Sequence, residues 1–337
     1  MLRYLIRRLA MMPVLLLGVA TIAFILTNFT KGDPLLSLVN ERQLGNPEVV
    51  AAVKARWGLD KSLPERYGIY ISNLAQGDFG VSFRTKRSVG LDIAERLPAT
   101  LELVIAAMIV GTGFGLLFGV LAAHYRNRPQ DHAARLFALI GSSTPVFWSG
   151  LILLYLFSVK FGVLPGAGRL GAREAAPPFV TGMFTIDALL AGNWAQFREA
   201  LSHLILPALV LGWAVTGIIS RLVRASMLDV LAQDYILTAR SKGASETRVL
   251  VNHALRNAMI PALTIIGFSF AYLITGAVLT ETVFSWPGIG SYAVESARAL
   301  DHPAIVGVTL IGAIAFLLSN LLTDIAYAFA NPRIRIA

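Results

Sequence analysis

The chain has no cysteine, which excludes a disulfide framework, thiolate metal sites and cysteine nucleophiles. Charge is nearly as scarce. Only 15% of its 337 residues are Asp, Glu, Lys or Arg, against 55% hydrophobic residues, where a soluble domain carries roughly a quarter charged. Low-complexity repeats are absent too, so disordered and fibrous classes fall away. The dipeptide Gly-Lys never occurs, so the chain has no Walker A phosphate loop with which to hydrolyse ATP. What remains is a membrane protein. A net charge of +9 would suggest a nucleic-acid partner in a soluble chain, but here it fits basic inner loops that set orientation, and no nucleic acid is expected.

A bilayer core of ~30 Å needs roughly 17–25 apolar residues in a helix. Six runs qualify: Leu9–Phe29, Leu103–Ala123, Leu136–Val159, Leu204–Ser220, Ala258–Thr280 and Ala304–Thr323. The fourth is the shortest and is expected to extend past Arg221 by snorkelling. Arg3, Arg7 and Arg8 precede the first run, which is long for a signal-peptide core and is followed by no small-x-small cleavage site, so it reads as a retained helix. Placing the N-terminus inside makes 125–135, 221–257 and 330–337 cytoplasmic. These segments hold far more Arg and Lys than their carboxylates Asp131, Asp229, Asp234 and Glu246, as the positive-inside rule requires. Both termini are expected in the cytoplasm.

The external loop 30–98 has structure signals of its own: Gly32-Asp33-Pro34 at the exit of the first helix, helical spacing over 47–57, and a turn at Gly77-Asp78-Phe79-Gly80. A second external segment, 160–203, contains an amphipathic stretch at 186–200.

No Asp, Glu, Lys, Arg or His lies inside the six runs. Carriers coupled to protons or cations place ionisable residues or broken-helix ion sites near the midplane, and an intramembrane enzyme needs an acid, base or metal there. Glu102 and Asp324 are expected at helix edges, Glu102 near a positive helix N-terminus and Asp324 reaching toward Arg333 or Arg335. His203, His302 and His253 show no partner at ligand spacing, so no metal site is expected. Ser142, Ser143, Thr144 and Phe147 around Pro145, and Ser269, Tyr272 and Thr275 in the fifth run, could line a wet pathway. Small and hydroxylated residues such as these, with Gly141 and Gly267, equally suit close helix packing. Glu281, Phe284 and Trp286 follow the fifth run on the outside, where they suit an interfacial belt, an external gate or a docking surface.

The inner segment 221–257 reads as a helix-turn-helix knob. Tyr235, Ala239 and Lys242 share one helical face, and Gly243 at C′ lets the chain reverse before Ala244 and Ser245. The stretch 234–261, with Arg240 in its helix, resembles the cytoplasmic EAA loop of ABC importer permeases in the form used by the dipeptide/oligopeptide/nickel group. Other strings resemble the B-type subunit of that group, in the same order: Gly32-Asp33-Pro34, Trp57-Gly58-Leu59-Asp60, Gly77-Asp78-Phe79-Gly80, Leu97-Pro98-Ala99-Thr100-Leu101, His203-Leu204-Ile205-Leu206-Pro207-Ala208, Glu281-Thr282-Val283-Phe284-Ser285-Trp286-Pro287-Gly288-Ile289-Gly290 and Asn331-Pro332-Arg333. The chain departs from the general EAA pattern in having Leu237-Thr238-Ala239 where Glu-Ala-Ala begins, and in having Asn331 where the group often has Asp.

The resemblance implies an all-α membrane protein of six transmembrane helices, with the type I ABC importer permease fold and an external N-terminal loop region. Residues 1–96 would form the first helix and external region, and 97–337 a five-helix core with its coupling loop at about 221–257. It also implies a second related permease, two ABC ATPase subunits that bind ATP and Mg²⁺, an external solute-binding protein, and a bacterial or archaeal cytoplasmic membrane. No cofactor is expected in this chain. The coupling loop would seat in an ATPase groove. A stand-alone ion-coupled carrier or channel, and a membrane scaffold, are the competing readings.

Overall fold

The computed structural model describes residues 2–29, 45–57 and 61–330. Gly32-Asp33-Pro34, Gly58–Asp60, Asn331-Pro332-Arg333 and Arg335 lie outside the described residues. The elements are α1 (Leu2–Phe29), α2 (Pro47–Trp57), α3 (Leu63–Ala75), α4 (Val89–His124), α5 (Pro129–Ser143) and α6 (Val146–Leu154), which runs on through one wide turn, Tyr155–Lys160. They continue with α7 (Phe184–Leu190), α8 (Trp194–Leu231), α9 (Asp234–Ser241), α10 (Glu246–Gly276), α11 (Val278–Val283), α12 (Ile289–Arg298) and α13 (His302–Ala330). Among the described residues no strand forms beyond one isolated bridge between Val81 and Ser88.

Among the described residues five helices are long and apolar enough to cross a bilayer: α1, α4, α8, α10 and α13. Their outward faces carry exposed Val14, Ile109, Phe268 and Leu322, which is tenable only in lipid or against other apolar helices. All five begin ahead of their apolar runs. Thus α8 begins at Trp194 and passes Arg221 to Leu231, and α10 begins at Glu246, twelve residues ahead of the run. Hydropathy marks only the part of a helix that lipid surrounds, while backbone hydrogen bonds continue into the polar flanks.

The third run, Leu136–Val159, is not one straight helix. It breaks between α5 and α6 with a bend of 104°. Pro145 excludes helical geometry from the residue before it, and Thr144 is accordingly extended at φ −83°, ψ 132°. Its Oγ1 donates to Ile140 O at 2.6 Å, stopping α5, and Pro145 O accepts from Trp148 N and Ser149 N to start α6. The pair α5–α6 therefore forms either one broken crossing or a re-entrant hairpin.

The centre of the fold is the α4–α8 pair. Gly111, Gly115 and Gly119 form a four-residue repeat on α4, and a Cβ at those positions would lie 2.7 Å from Gly212 O, Ile219 Cβ and Val223 Cβ of α8. Small residues at this spacing let two membrane helices approach closely. Around the seam, Leu103, Ala107, Leu211, Val215, Ile219 and Val223 make the main buried cluster. The external segment forms helices α2 and α3. A capping box at Ser62 and Glu65 starts α3, which packs on α1 through Phe24–Tyr67 and Phe24–Tyr70 ring contacts. The boundary between residues 96 and 97 falls inside α4, so the external region and the core share a helix rather than a linker.

Candidate functional site

Between α8 and the long apolar part of α10, α9 and the first turns of α10 form the helix-turn-helix. Its reversal is a complete Schellman cap. Lys242 is the C-cap, Gly243 follows in the left-handed region at φ 79°, Gly243 N donates to Arg240 O (2.9 Å), and Ala244 N donates to Ala239 O (3.2 Å). Ile236 is fully buried, and Ala239 and Ala244 pack against the main core. Tyr235 donates from its hydroxyl to His253 O (3.2 Å) and accepts from Asn257 Nδ2 (2.7 Å). The Tyr235–Ala239 side of α9 is thus turned toward the body of its own chain. Of the three residues that share the face, Ala239 packs on the core while Tyr235 and Lys242 keep exposed surface; an i, i+4, i+7 pattern gives the shared side but not its direction. The side left open carries Asp234, Leu237, Thr238 and Ser241, with Lys242 and Ser245 exposed beyond it. Arg240 holds Glu246 through a two-bond fork (2.7 and 3.2 Å), and His124 at the end of α4 lies 3.9 Å from the same carboxylate.

The pathway candidates are dispersed. Ser142 Oγ donates to Leu139 O and accepts from Arg221, and Thr144 caps α5. Ser143 and Phe147 are exposed near the bend. Gly141 and Gly267 are packing points, facing Trp213 and Thr323. Ser269 is buried, whereas Tyr272 and Thr275 lie exposed on one face of α10 with Phe268. The structure does not bring the two groups into one lined channel within this chain.

At the opposite end of α10 the three candidates Glu281, Phe284 and Trp286 are each 0–1% exposed. None presents a side chain to solvent within this chain, so all three pack inside its fold. Trp286 Nε1 donates to Ala99 O (2.7 Å), and Phe284 O accepts from Gly168 N (2.8 Å). Glu281 lies beyond the end of the fifth crossing. Burial pushes its carboxyl up to about 7, opposed by donors from Thr100, Ser291 and Gly290 and by Arg96.

A second buried carboxylate stands close by. Glu102 is not at a helix end, since α4 begins at Val89. It pairs with buried Arg169 (2.5 Å) and accepts from Thr185 N and Oγ1 (2.8 and 2.7 Å). Arg169 also lies over the Phe184 ring at 3.5 Å. This ion pair ties the external segment 160–203 to α4. Composition could not reveal it, because both residues fall outside the apolar runs. Asp324 pairs with Arg8 (2.9 Å), while Arg333 and Arg335, expected near it, lie outside the described residues. One expectation does change: His203 has a carboxylate partner one turn earlier, Glu199 (3.2 Å). Among the described residues no group of three or more His, Asp or Glu could hold a metal ion.

These features define a multi-pass helical membrane protein with an exposed helix-turn-helix between two of its long apolar helices. Residues 115–336 match the family described as binding-protein-dependent transport system inner membrane component, and residues 1–104 match its N-terminal companion. The chain belongs to that family and is a permease subunit of an ABC importer, whose ATPase is a separate subunit. It is 44% identical over 99% of both chains to the di/tripeptide transport system permease protein DppB of Pseudomonas aeruginosa (strain UCBPP-PA14). It is 40% identical over 99% of both chains to the dipeptide transport system permease protein DppB of Escherichia coli (strain K12). With the glutathione transport system permease protein GsiC of Escherichia coli O1:K1 / APEC it shares 38% identity over 99% of both chains.

Proposed function

We propose that this subunit passes di- or oligopeptides, or similar small solutes, across the cytoplasmic membrane. It would pair with a second, related permease and receive solute from an external binding protein. Two ABC ATPase subunits, which bind ATP and Mg²⁺, would dock on α9 in the cytoplasm, where both chain termini lie. Full-length similarity to permeases named for short peptides supports the substrate class. A crossing set without ionisable residues supports passage of varied peptides, because a strongly charged lining would hold one class too tightly to release it. The observation that supports the coupling role is the Schellman-capped α9, which buries Ile236 and leaves Leu237 more than half exposed. A leucine presented on a short, capped helix fits a helix-in-groove contact with a partner. Packed helices then transmit rigid-body displacement instead of absorbing it.

The test is uptake of a labelled dipeptide by proteoliposomes containing the full assembly. ATP should drive accumulation, and a proton or sodium gradient without the ATPases should not. Gradient-driven accumulation by this chain alone would support the ion-coupled carrier reading instead.

A further inference from the structure

Glu281 is one of the largest side chains in the fold with no exposure at all, in a chain that keeps ionisable groups out of its crossings. A carboxylate in such a place is costly unless its oxygens are matched by donors, and here they are. Thr100 Oγ1 donates to Oε1 (2.6 Å), and Ser291 N donates to Oε2 (2.8 Å). The Thr100 oxygen in turn accepts from Ile289 N (2.8 Å). The carboxylate therefore sits at the N-terminus of α12, where exposed backbone N–H groups favour negative charge, and joins that terminus to α4.

The glycines of the Pro287-Gly288-Ile289-Gly290 turn exist for this contact. A Cβ on Gly288 would overlap the Glu281 carboxylate and the Thr100 hydroxyl, and one on Gly290 would come within 2.9 Å of Oε2. Trp286 Nε1 adds a second bond to α4 one residue from Thr100, at Ala99 O. Motifs far apart in sequence, Leu97–Leu101 and Glu281–Gly290, are thus the two halves of one joint.

We propose that Glu281 is a positioning residue for transport: it bolts the external hairpin 284–291 to α4 through Thr100, so that hairpin and helix move as one body while the permease alternates. The inference rests on the transport reading above.

The absence of native cysteine makes the joint testable by replacement. Positions 100 and 288 are close enough for their Cβ atoms to be bridged by a disulfide once the carboxylate between them is removed. Gly288 has φ −94°, which any residue adopts. In the complete reconstituted transporter, with labelled dialanine as probe, Glu281→Ala should lower uptake per assembled complex about tenfold or more, the scale of an orphaned buried hydrogen-bond group. Thr100→Val should do the same, and the double variant should be no worse than either single one, because both break one joint. The triple variant Thr100→Cys/Gly288→Cys/Glu281→Ala should be inactive when reduced and regain uptake when oxidised, in the same preparation. A subunit that had failed to fold could not be switched in this way. An oxidised triple variant as inactive as the reduced one would overturn the proposal, as would wild-type uptake by Glu281→Ala. Failure of the unmodified assembly to take up dialanine or any other short peptide would instead reject the transport reading beneath it.

Discussion

At the residue scale, single side chains in this protein act through which way they face. Ala239 lies against the core and Leu237 faces outward, two residues apart on one helix. Ala239→Asp should therefore bury an unpaired carboxylate and lower the abundance of the folded subunit. Leu237→Asp should leave abundance near normal while abolishing co-purification of the ATPase subunits. At Gly243 a Cβ would meet no atom within 4 Å, so the cost of Gly243→Val is backbone strain alone, about 1–2 kcal/mol. Gly243→Asn should be milder, which thermal unfolding in detergent would measure. Glu281 gives a pH prediction. Its folded carboxyl is raised to about 7 above an unfolded value of about 4.3, so the folded state holds the proton more tightly. Its contribution to stability is then complete below about pH 4 and is lost as pH rises through about 7. Unfolding temperature measured between pH 5 and 8 should fall with pH in the wild type, and the fall should be shallower in Glu281→Gln.

At the scale of elements, apolar run length located five of the crossings, because a helix that lipid surrounds must be apolar along most of its length. Its failures have a common origin. Hydropathy does not register where a backbone is forced to turn, so Leu136–Val159 reads as one span although Pro145 bends it by 104°. Nor does it register where polar flanks stay helical, as at Trp194 and Glu246. The Gly243 reversal was legible because a left-handed cap has a specific residue requirement. The burial of Glu102 with Arg169 was not, because no local pattern reports a partner 67 residues away in sequence. The α4–α8 seam yields its own prediction. Gly115→Leu should cost about 1–3 kcal/mol through overpacking against Ile219. Gly113→Leu, where nothing lies within 4 Å, should be tolerated, and thermal unfolding of the two variants would show the difference.

At the scale of the whole molecule, the chain is organised as two rigid ends joined by close-packed helices. The outer end is held by buried carboxylates, Glu102 with Arg169 and Glu281 with Thr100. The inner end is held by Ile236 in the core, the Arg240–Glu246 fork and the Tyr235 bonds. Between them the tight α4–α8 contact leaves little room for independent motion, which suits a subunit that passes a displacement from one side of the membrane to the other. The central claim is that the outward side of α9 is where the ATPase subunits push. Because the chain lacks cysteine, single Cys residues can be placed along α9 in the assembled transporter and cross-linked to the ATPases with a short thiol reagent. The account predicts cross-links from positions 234, 237, 238 and 241 and none from 236 or 239. Cross-links from 236 and 239 with none from 237 and 241, or no cross-link anywhere along the helix, would contradict it.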